Sequence, residues 1–312
     1  MLVNGSVRLT AIGCLATVIP AVAQPGGWAL QGAISRAMAG HRGAVVLLDV
    51  RSDRVLASYH LHVAARRVVY PGSSLKPFTL MALLEQGKLD EHTALMCKRR
   101  LSIAGHKVDC THPDVKQPLA PAAALAYSCN SYFSSVALRL TPVQLRDSLV
   151  NDGFASATAL APAEATGEVL LAQSPEQQQL QGIGEWGVKV TPLELAQGYR
   201  QLALRGSRHD LKLAALFDGL QQSVAYGTGH LAQPDTSMKV AGKTGTSLAD
   251  EGRWTHAWFA GYAPAEDPEI VVVVFLEKGH GGSDAAGVAR QIFAAFAHSR
   301  RPDVTATTRS GR

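Results

Sequence analysis

The spacing of apolar residues changes several times along this chain, and each change predicts an element. Residues 28–39, WALQGAISRAMA, place apolar side chains at helical spacing and stop at Gly40. Two apolar runs follow, GAVVLLDV and VLASYH, separated by the polar turn RSDR. That pattern predicts a hairpin. From Ser73, SLKPFTLMALLEQ predicts a mostly buried helix ended by Gly87. Pro77 lies in its first turn, where no backbone donor is missed. Residues 88–118 show no period. APAAALAYSCNSYFSSVALRL reads as helix, turn, helix, and residues 151–190 are loop-rich. TPLELAQGYRQLAL is helical, with Thr191 as cap and Pro192 just inside. Three strands are predicted in MKVAGKTGTS, HAWFAGYAP and EIVVVVFLE, then a closing helix in AAGVARQIFAAFAHS. Residues 301–312 are polar and predict a disordered tail.

Strands therefore lie at both ends of the chain and helices fill the middle. The expected fold is α+β: a central antiparallel five-stranded sheet flanked by the N- and C-terminal helices, with an all-helical lobe inserted. A cleft between sheet and lobe is the natural place for a site. No repeat or linker splits the chain, so residues 24–300 are expected to form one domain.

The composition, 46% hydrophobic and 18% charged, allows a sizeable core. The net charge of +5 is spread along the chain, with no basic block interleaved with aromatics, which argues against nucleic acid as a partner. At the N-terminus, Arg8 precedes the apolar run LTAIGCLATVIPAVAQ and Ala21-Val22-Ala23. This reads as a secretory signal over residues 1–23, cut after Ala23. The run is short for a spanning helix, which needs about 20 residues. The protein is expected to be exported to the periplasm or cell envelope, and membrane-anchored if the signal is retained.

Removal of the signal leaves Cys97, Cys110 and Cys129. In an oxidising compartment Cys97 and Cys110 are candidates for a disulfide closing a small loop. A zinc site using the nearby His106 and His112 is the competing reading. The spacing fits no common zinc pattern and export favours the disulfide, so no metal is expected. Cys129 is then a buried thiol.

Three short motifs carry candidate chemistry. In YPGSSLKPF, Ser73 and Lys76 share a helix face at i, i+3. A neutral lysine can take a proton from a serine hydroxyl, and a helix N-terminus favours negative charge beside it. Ser128-Cys129-Asn130 sits on a turn between helices, where Ser128 can pass a proton and Asn130 can hold an amide. Lys243-Thr244-Gly245-Thr246 ends a predicted strand. A strand edge can add an extended peptide, Gly245 allows close backbone approach, and Lys243 with the two threonine hydroxyls can hold a carboxylate. Each motif alone is common; each has a bland reading as a cap or a strand end. Together, in the order S-x-x-K, S-x-N, K-T-G, they are specific.

In this set the chain resembles the transpeptidase domain of penicillin-binding proteins. YPGSSLKPF is similar to that family's Y-x-P-G-S-x-x-K-P, and SCNSYF to its S-C-N-x-x-F. GEWGVKVTPLELAQGYRQLALRG, VAYGTGHLA, MKVAGKTGTS and HAWFAGYAP follow in family order, so the resemblance covers nearly the whole chain after the signal. The Cys97/Cys110 pair also resembles one seen in many members. The resemblance implies Ser73 as acylated nucleophile, Lys76 as its base and Ser128 as proton shuttle. It implies Asn130, Lys243, Thr244, Gly245 and Thr246 as substrate-binding residues, and an oxyanion hole from the N–H groups of Ser73 and Thr246. The implied substrates are peptidoglycan stem peptides and β-lactams, with no cofactor and no metal, and other cell-wall synthesis proteins as partners. Between Ala23 and Ser73 there is room for the first helix and hairpin, so no glycan-polymerising domain is expected.

Three rivals share these residues. A serine β-lactamase needs a deacylating base, for which Glu164 is the candidate, but position 168 is Glu168 where an Asn is expected. A D,D-carboxypeptidase or endopeptidase differs only in the acceptor. A β-lactam-sensing or wall-binding module would carry the fold without turnover. His60-Leu61-His62 and KGHGGSD read as ordinary loop and strand-end residues, since neither has ligand or phosphate-loop spacing.

Overall fold

A computed structural model describes residues 25–249 and 252–300. The signal read over residues 1–23 and the tail read over 301–312 lie outside the described residues. Helix α1 spans Pro25–Ala37. Strands β1 (Gly43–Asp49) and β2 (Val55–Tyr59) form the expected hairpin. A short helix α2 (Leu61–Arg66) and a 3₁₀ turn (Gly72–Leu75) lead into α3 (Lys76–Glu85). The remaining sheet strands are β3 (Ala241–Leu248), β4 (Thr255–Ala263) and β5 (Ile270–Leu276), before the closing helix α10 (Ala286–Ser299).

The five strands form one antiparallel sheet in the order β2-β1-β5-β4-β3. Strand β5 is central because both of its faces are apolar. Val271, Val273 and Phe275 face the helical lobe, while Ile270, Val272, Val274 and Leu276 face α1 and α10. Each such side chain, fully buried, contributes about 1.5–3 kcal/mol, so a run of seven cannot lie at an edge. On the outer face Leu30, Ile34, Ile292 and Phe293 complete the second apolar layer.

The lobe contains α4 (Pro121–Ala126), α5 (Asn130–Ala137), α6 (Pro142–Asn151), α7 (Pro175–Gly182), α8 (Pro192–Gly206) and α9 (Ala214–Ala225). It is not purely helical. Two-residue ladders pair Ser102–Ile103 with His106–Lys107 and Glu168–Val169 with Val188–Lys189. They arise where stretches without period run antiparallel and must satisfy their own backbone groups. Helix α7 falls inside the stretch read as loop-rich. Its start is fixed by Ser174, whose Oγ accepts from Gln177 N at 3.3 Å, with Pro175 next.

Candidate active site

The three motifs meet where α3 begins, under the end strand β3. Two contacts set that junction. Gly72 has φ +54, and a Cβ there would lie 2.6 Å from Thr246 O. A Cβ on Gly245 would lie 2.4 Å from Pro71 O. Only glycine lets the strand backbone touch the turn that carries Ser73. Tyr199 of α8 locks the turn from below, donating its hydroxyl to Ser74 O at 2.9 Å. Ser247 Oγ and Trp258 Nε1 both donate to Tyr70 O, at 2.7 and 3.1 Å. Ser73 remains half-exposed among buried neighbours.

Lys76, one turn on, is wholly buried. Its Nζ lies 2.7 Å from Ser128 O, 3.2 Å from Ser128 Oγ and 2.5 Å from Asn130 Oδ1. Asn130 is oriented by its other end, with Nδ2 donating to Val108 O at 3.0 Å. Ser128 sits at φ +55, which turns the chain between α4 and α5 so that its carbonyl and hydroxyl both face Lys76. Burial lowers the Lys76 amine to about 8, against the opposing pull of Cys129, Cys110 and Glu185. A neutral amine has two N–H groups and one lone pair. Ser128 O and Asn130 Oδ1 can only accept, so they take the two N–H groups. The longer contact, to Ser128 Oγ, then reverses, and the hydroxyl donates to the amine. The arrangement can thus move a proton between the Ser128 hydroxyl and the Lys76 amine.

Lys243 is also wholly buried, its Nζ donating to Thr244 O at 3.0 Å and Thr228 Oγ1 at 3.4 Å. Burial first, and the Lys76 charge second, hold its amine well below the ordinary value. An anion arriving here would favour the charged amine and offset both effects. Thr244 Oγ1 donates to Thr228 Oγ1 at 2.9 Å, and Thr246 Oγ1 accepts from Gly281 N at 3.0 Å. The KGHGGSD segment is a loop only as far as His280; Gly281–Ala285 form a π-helical turn that leads into α10 and backs β3 through Gly281.

Residues 43–296 match the family described as penicillin binding protein transpeptidase domain. This chain belongs to that family. Peptidoglycan D,D-transpeptidase MrdA of Haemophilus influenzae is 24% identical over 374 residues, covering 88% of this chain and 56% of its own. Peptidoglycan D,D-transpeptidase FtsI of Escherichia coli is 27% identical over 304 residues, covering 81% of this chain and 50% of its own. The chain spans about half the length of the curated relatives it matches. The fold is shared with the transpeptidase domain of penicillin-binding protein 3 from Burkholderia pseudomallei, at TM-score 0.77 and 20% identity, covering 89% of this chain and 96% of that one. It is also shared with Pseudomonas aeruginosa PBP2, crystallised in complex with WCK 5153, at TM-score 0.76 and 24% identity, covering 86% and 76%.

Within this transpeptidase-family fold, all eight motif residues gather at one junction. Two further residues join them without having been singled out by sequence. Thr228 links Lys243 to Thr244, and its signal is the GTG of VAYGTGHLA. Glu185, in GEWG, is coupled to the site by charge: burial raises its carboxyl to about 7, and the Lys76 cation partly offsets that. Glu164, the candidate deacylating base, is occupied elsewhere. It accepts from Thr158 N, Ala159 N and Ala161 N at 2.5, 3.2 and 2.7 Å. Burial pushes its carboxyl up, but hydrogen bonds from Ala161, Thr158 and Ala159 outweigh that and hold it below the ordinary value. A carboxylate held so is a loop cap and a poor base.

The expected Cys97–Cys110 bridge is not formed. Cys97, Cys110 and Cys129 are all free thiols. Cys110 Sγ faces Cys129 Sγ at 3.8 Å, and Cys97 Sγ faces His112 Nε2 at 3.5 Å. Cys97 Sγ stays in one cluster with the other two sulfurs and accepts from the Arg99 N–H at 3.3 Å. His106 is exposed on its ladder and takes no part.

Proposed function

We propose that this domain is a serine D,D-transpeptidase acting on peptidoglycan stem peptides ending in D-Ala-D-Ala, and that β-lactams acylate it. The convergence of Lys76 on Ser128 and Asn130 carries this reading. Ser73 Oγ attacks the carbonyl carbon of the penultimate D-Ala as neutral Lys76 takes its proton. The N–H groups of Ser73 and Thr246 hold the developing oxyanion, the largest electrostatic term in such a step. The amide C–N bond breaks, and the proton passes through Ser128 to the leaving D-Ala amine. Lys243, Thr244 and Thr246 hold the terminal carboxylate, Gly245 permits the close approach, and Asn130 holds the substrate amide. An acceptor amine then attacks the ester and Ser73 regains its proton. With water as acceptor the same site is a carboxypeptidase. In a β-lactam the broken bond leaves both halves attached, so the ester persists.

Residues 24–300 form the catalytic domain on this reading, exported by the segment over 1–23 and working at the cell envelope beside other wall-synthesis proteins. Among the described residues no helix is long and apolar enough to cross a membrane. The relatives named D,D-transpeptidases support transfer over hydrolysis.

The test is time-resolved labelling of the purified protein with fluorescent penicillin, beside Ser73→Ala. A lasting label that Ser73→Ala lacks is expected. A label that fades as antibiotic is consumed would make this a β-lactamase. A folded wild type that takes no label would leave only a wall-binding module.

A further inference from the structure

Cys97, Cys110, His112 and Cys129 come from three stretches of the lobe, yet their ligand atoms all lie within 4.8 Å of one another. Three of the four residues are buried, and His112 is only 4% exposed. We propose that these four side chains bind a single zinc ion that clamps the 97–112 segment to the turn carrying Ser128 and Asn130.

The distances carry the assignment. Zinc binds thiolate at about 2.3 Å and imidazole at about 2.0–2.1 Å, in a tetrahedron. A tetrahedron of that size puts two sulfurs about 3.8 Å apart and a sulfur and a nitrogen about 3.5 Å apart. The structure has Cys110 Sγ and Cys129 Sγ at 3.8 Å, and Cys97 Sγ and His112 Nε2 at 3.5 Å. The imidazole is set for the role. His112 Nδ1 lies 2.8 Å from Pro113 O, an atom that can only accept, so Nδ1 carries the proton. The Nε2 lone pair is thereby turned into the cluster, as the outer partner of a metal-bound histidine does. Two backbone donors point at the sulfurs: Arg99 N at Cys97 Sγ and Ser131 N at Cys110 Sγ, both at 3.3 Å. Such donors stabilise thiolate over thiol. Three soft sulfurs and one imidazole select zinc over hard cations. A Cys97–Cys110 disulfide would consume the thiol that His112 Nε2 faces at 3.5 Å.

The location gives the metal a task, and that part rests on the proposed function. Cys129 is the middle residue of Ser128-Cys129-Asn130, and both its neighbours contact Lys76. The 97–112 segment supplies Val108 O and Asp109 O, which accept from Asn130 Nδ2 at 3.0 and 3.4 Å. Zinc would therefore hold from behind the turn that presents Ser128 and Asn130. It is a positioning device that touches no reacting atom.

The test reads metal without substrate, so it stands or falls separately from penicillin labelling. The full chain, purified with reductant and without chelator, is analysed for zinc and then exchanged with cobalt(II). Expected are one zinc per chain and a cobalt spectrum with thiolate charge-transfer bands and strong tetrahedral visible bands. Cys97→Ser and His112→Ala should each lower retained zinc at least tenfold after dialysis against a weak chelator. Because those variants can misfold, the cobalt spectrum of the wild type decides alone. Wild type that holds no metal after zinc is added, cobalt bound without thiolate bands, or a mapped Cys97–Cys110 disulfide in protein from an oxidising compartment would each overturn the assignment. With metal confirmed, stripping zinc should slow penicillin acylation at least tenfold and readdition should restore it. Unchanged acylation would remove the positioning role.

Discussion

Lys76 Nζ and Asn130 Oδ1 lie 2.5 Å apart, a contact across 54 positions of chain that ties the first motif to the second. An amide oxygen cannot donate, so the contact holds for either charge state of the amine, while the Ser128 hydroxyl can face it both ways. With the amine lowered to about 8, the cation dominates below that pH and cannot accept a proton. The acylation rate constant should therefore rise about tenfold per pH unit below 8 and level off above it. Lys76→Arg keeps the charge but never loses its proton, and should cost about 10²–10⁴-fold. Stopped-flow acylation by a chromogenic β-lactam between pH 5.5 and 9.5 reads both. A flat profile would mean that another group takes the serine proton.

Burial, Cys129 and Cys110 act on the Lys76 amine more strongly, but Glu185 also moves that limb. Its carboxylate favours the Lys76 cation, so it holds the amine higher than burial alone would. Removing the charge lowers the amine further. Glu185→Gln should move the rising limb to lower pH, with the plateau rate within about threefold of wild type. The shift in midpoint is the diagnostic, because a merely damaged site loses rate at every pH. A midpoint that stays put, or moves upward, contradicts the coupling.

Much of this was legible in residue order, and the reasons differ by element. EIVVVVFLE reads as a strand, and the structure makes it β5, the sheet's centre, buried on both faces. Thr191-Pro192 marks the start of α8, and the capping box with Glu194 is there. Thr141-Pro142 opens α6 with the same kind of cap, but apolar spacing predicts no helix there. Helix α7, PEQQQLQG, is not legible by period, because four glutamine and glutamate residues follow its proline and Leu180 is its only large apolar side chain. It is held by Gln178, whose Nε2 donates to Ala137 O and Leu140 O, contacts that exist only after folding. The cysteine cluster hides for a related reason. Its members sit at 97, 110, 112 and 129, a spacing set by three loops that converge in space and not by one local knuckle.

Gly245 offers a steric test of the junction between β3 and the Ser73 turn. A methyl at 245 would meet Pro71 O at 2.4 Å and Ser74 N at 3.1 Å, backbone atoms that cannot rotate aside. Gly245→Ala must push the strand off the turn. Overpacking of this kind costs about 1–3 kcal/mol, which a domain of this size can survive. A displacement near 1 Å costs about 10²-fold where groups from two elements must meet one substrate. Penicillin acylation should fall by about that factor while thermal unfolding stays cooperative. Acylation within twofold of wild type would show that the close approach is dispensable.

Glu194 tests what holds the lobe beneath the site. It is 1% exposed, yet it is fully engaged. Oε2 accepts from Thr191 N at 2.7 Å, closing the capping box of α8. Oε1 accepts from Gly167 N at 2.8 Å and Ser156 N at 3.2 Å, pinning the 156–167 loop to the helix. Burial raises its carboxyl above the ordinary value, and the hydrogen bonds only partly offset that. The native state therefore binds this proton more tightly than the unfolded chain. The share of stability that Glu194 supplies shrinks as pH rises through the folded value. Glu194→Ala removes the acceptor of three N–H groups at once, buried at Thr191 and part-buried at Gly167 and Ser156, each worth up to about 1–3 kcal/mol when left unmade. With the cost of the buried carboxylate subtracted, the net loss should be about 2–4 kcal/mol. Glu194→Gln should fall between, since its amide keeps one accepting oxygen and turns two donors toward other donors. Urea unfolding of the three proteins at pH 7 measures the difference. A loss under about 1 kcal/mol for Glu194→Ala would mean that water enters and satisfies those groups, and that the loop is not held by this carboxylate.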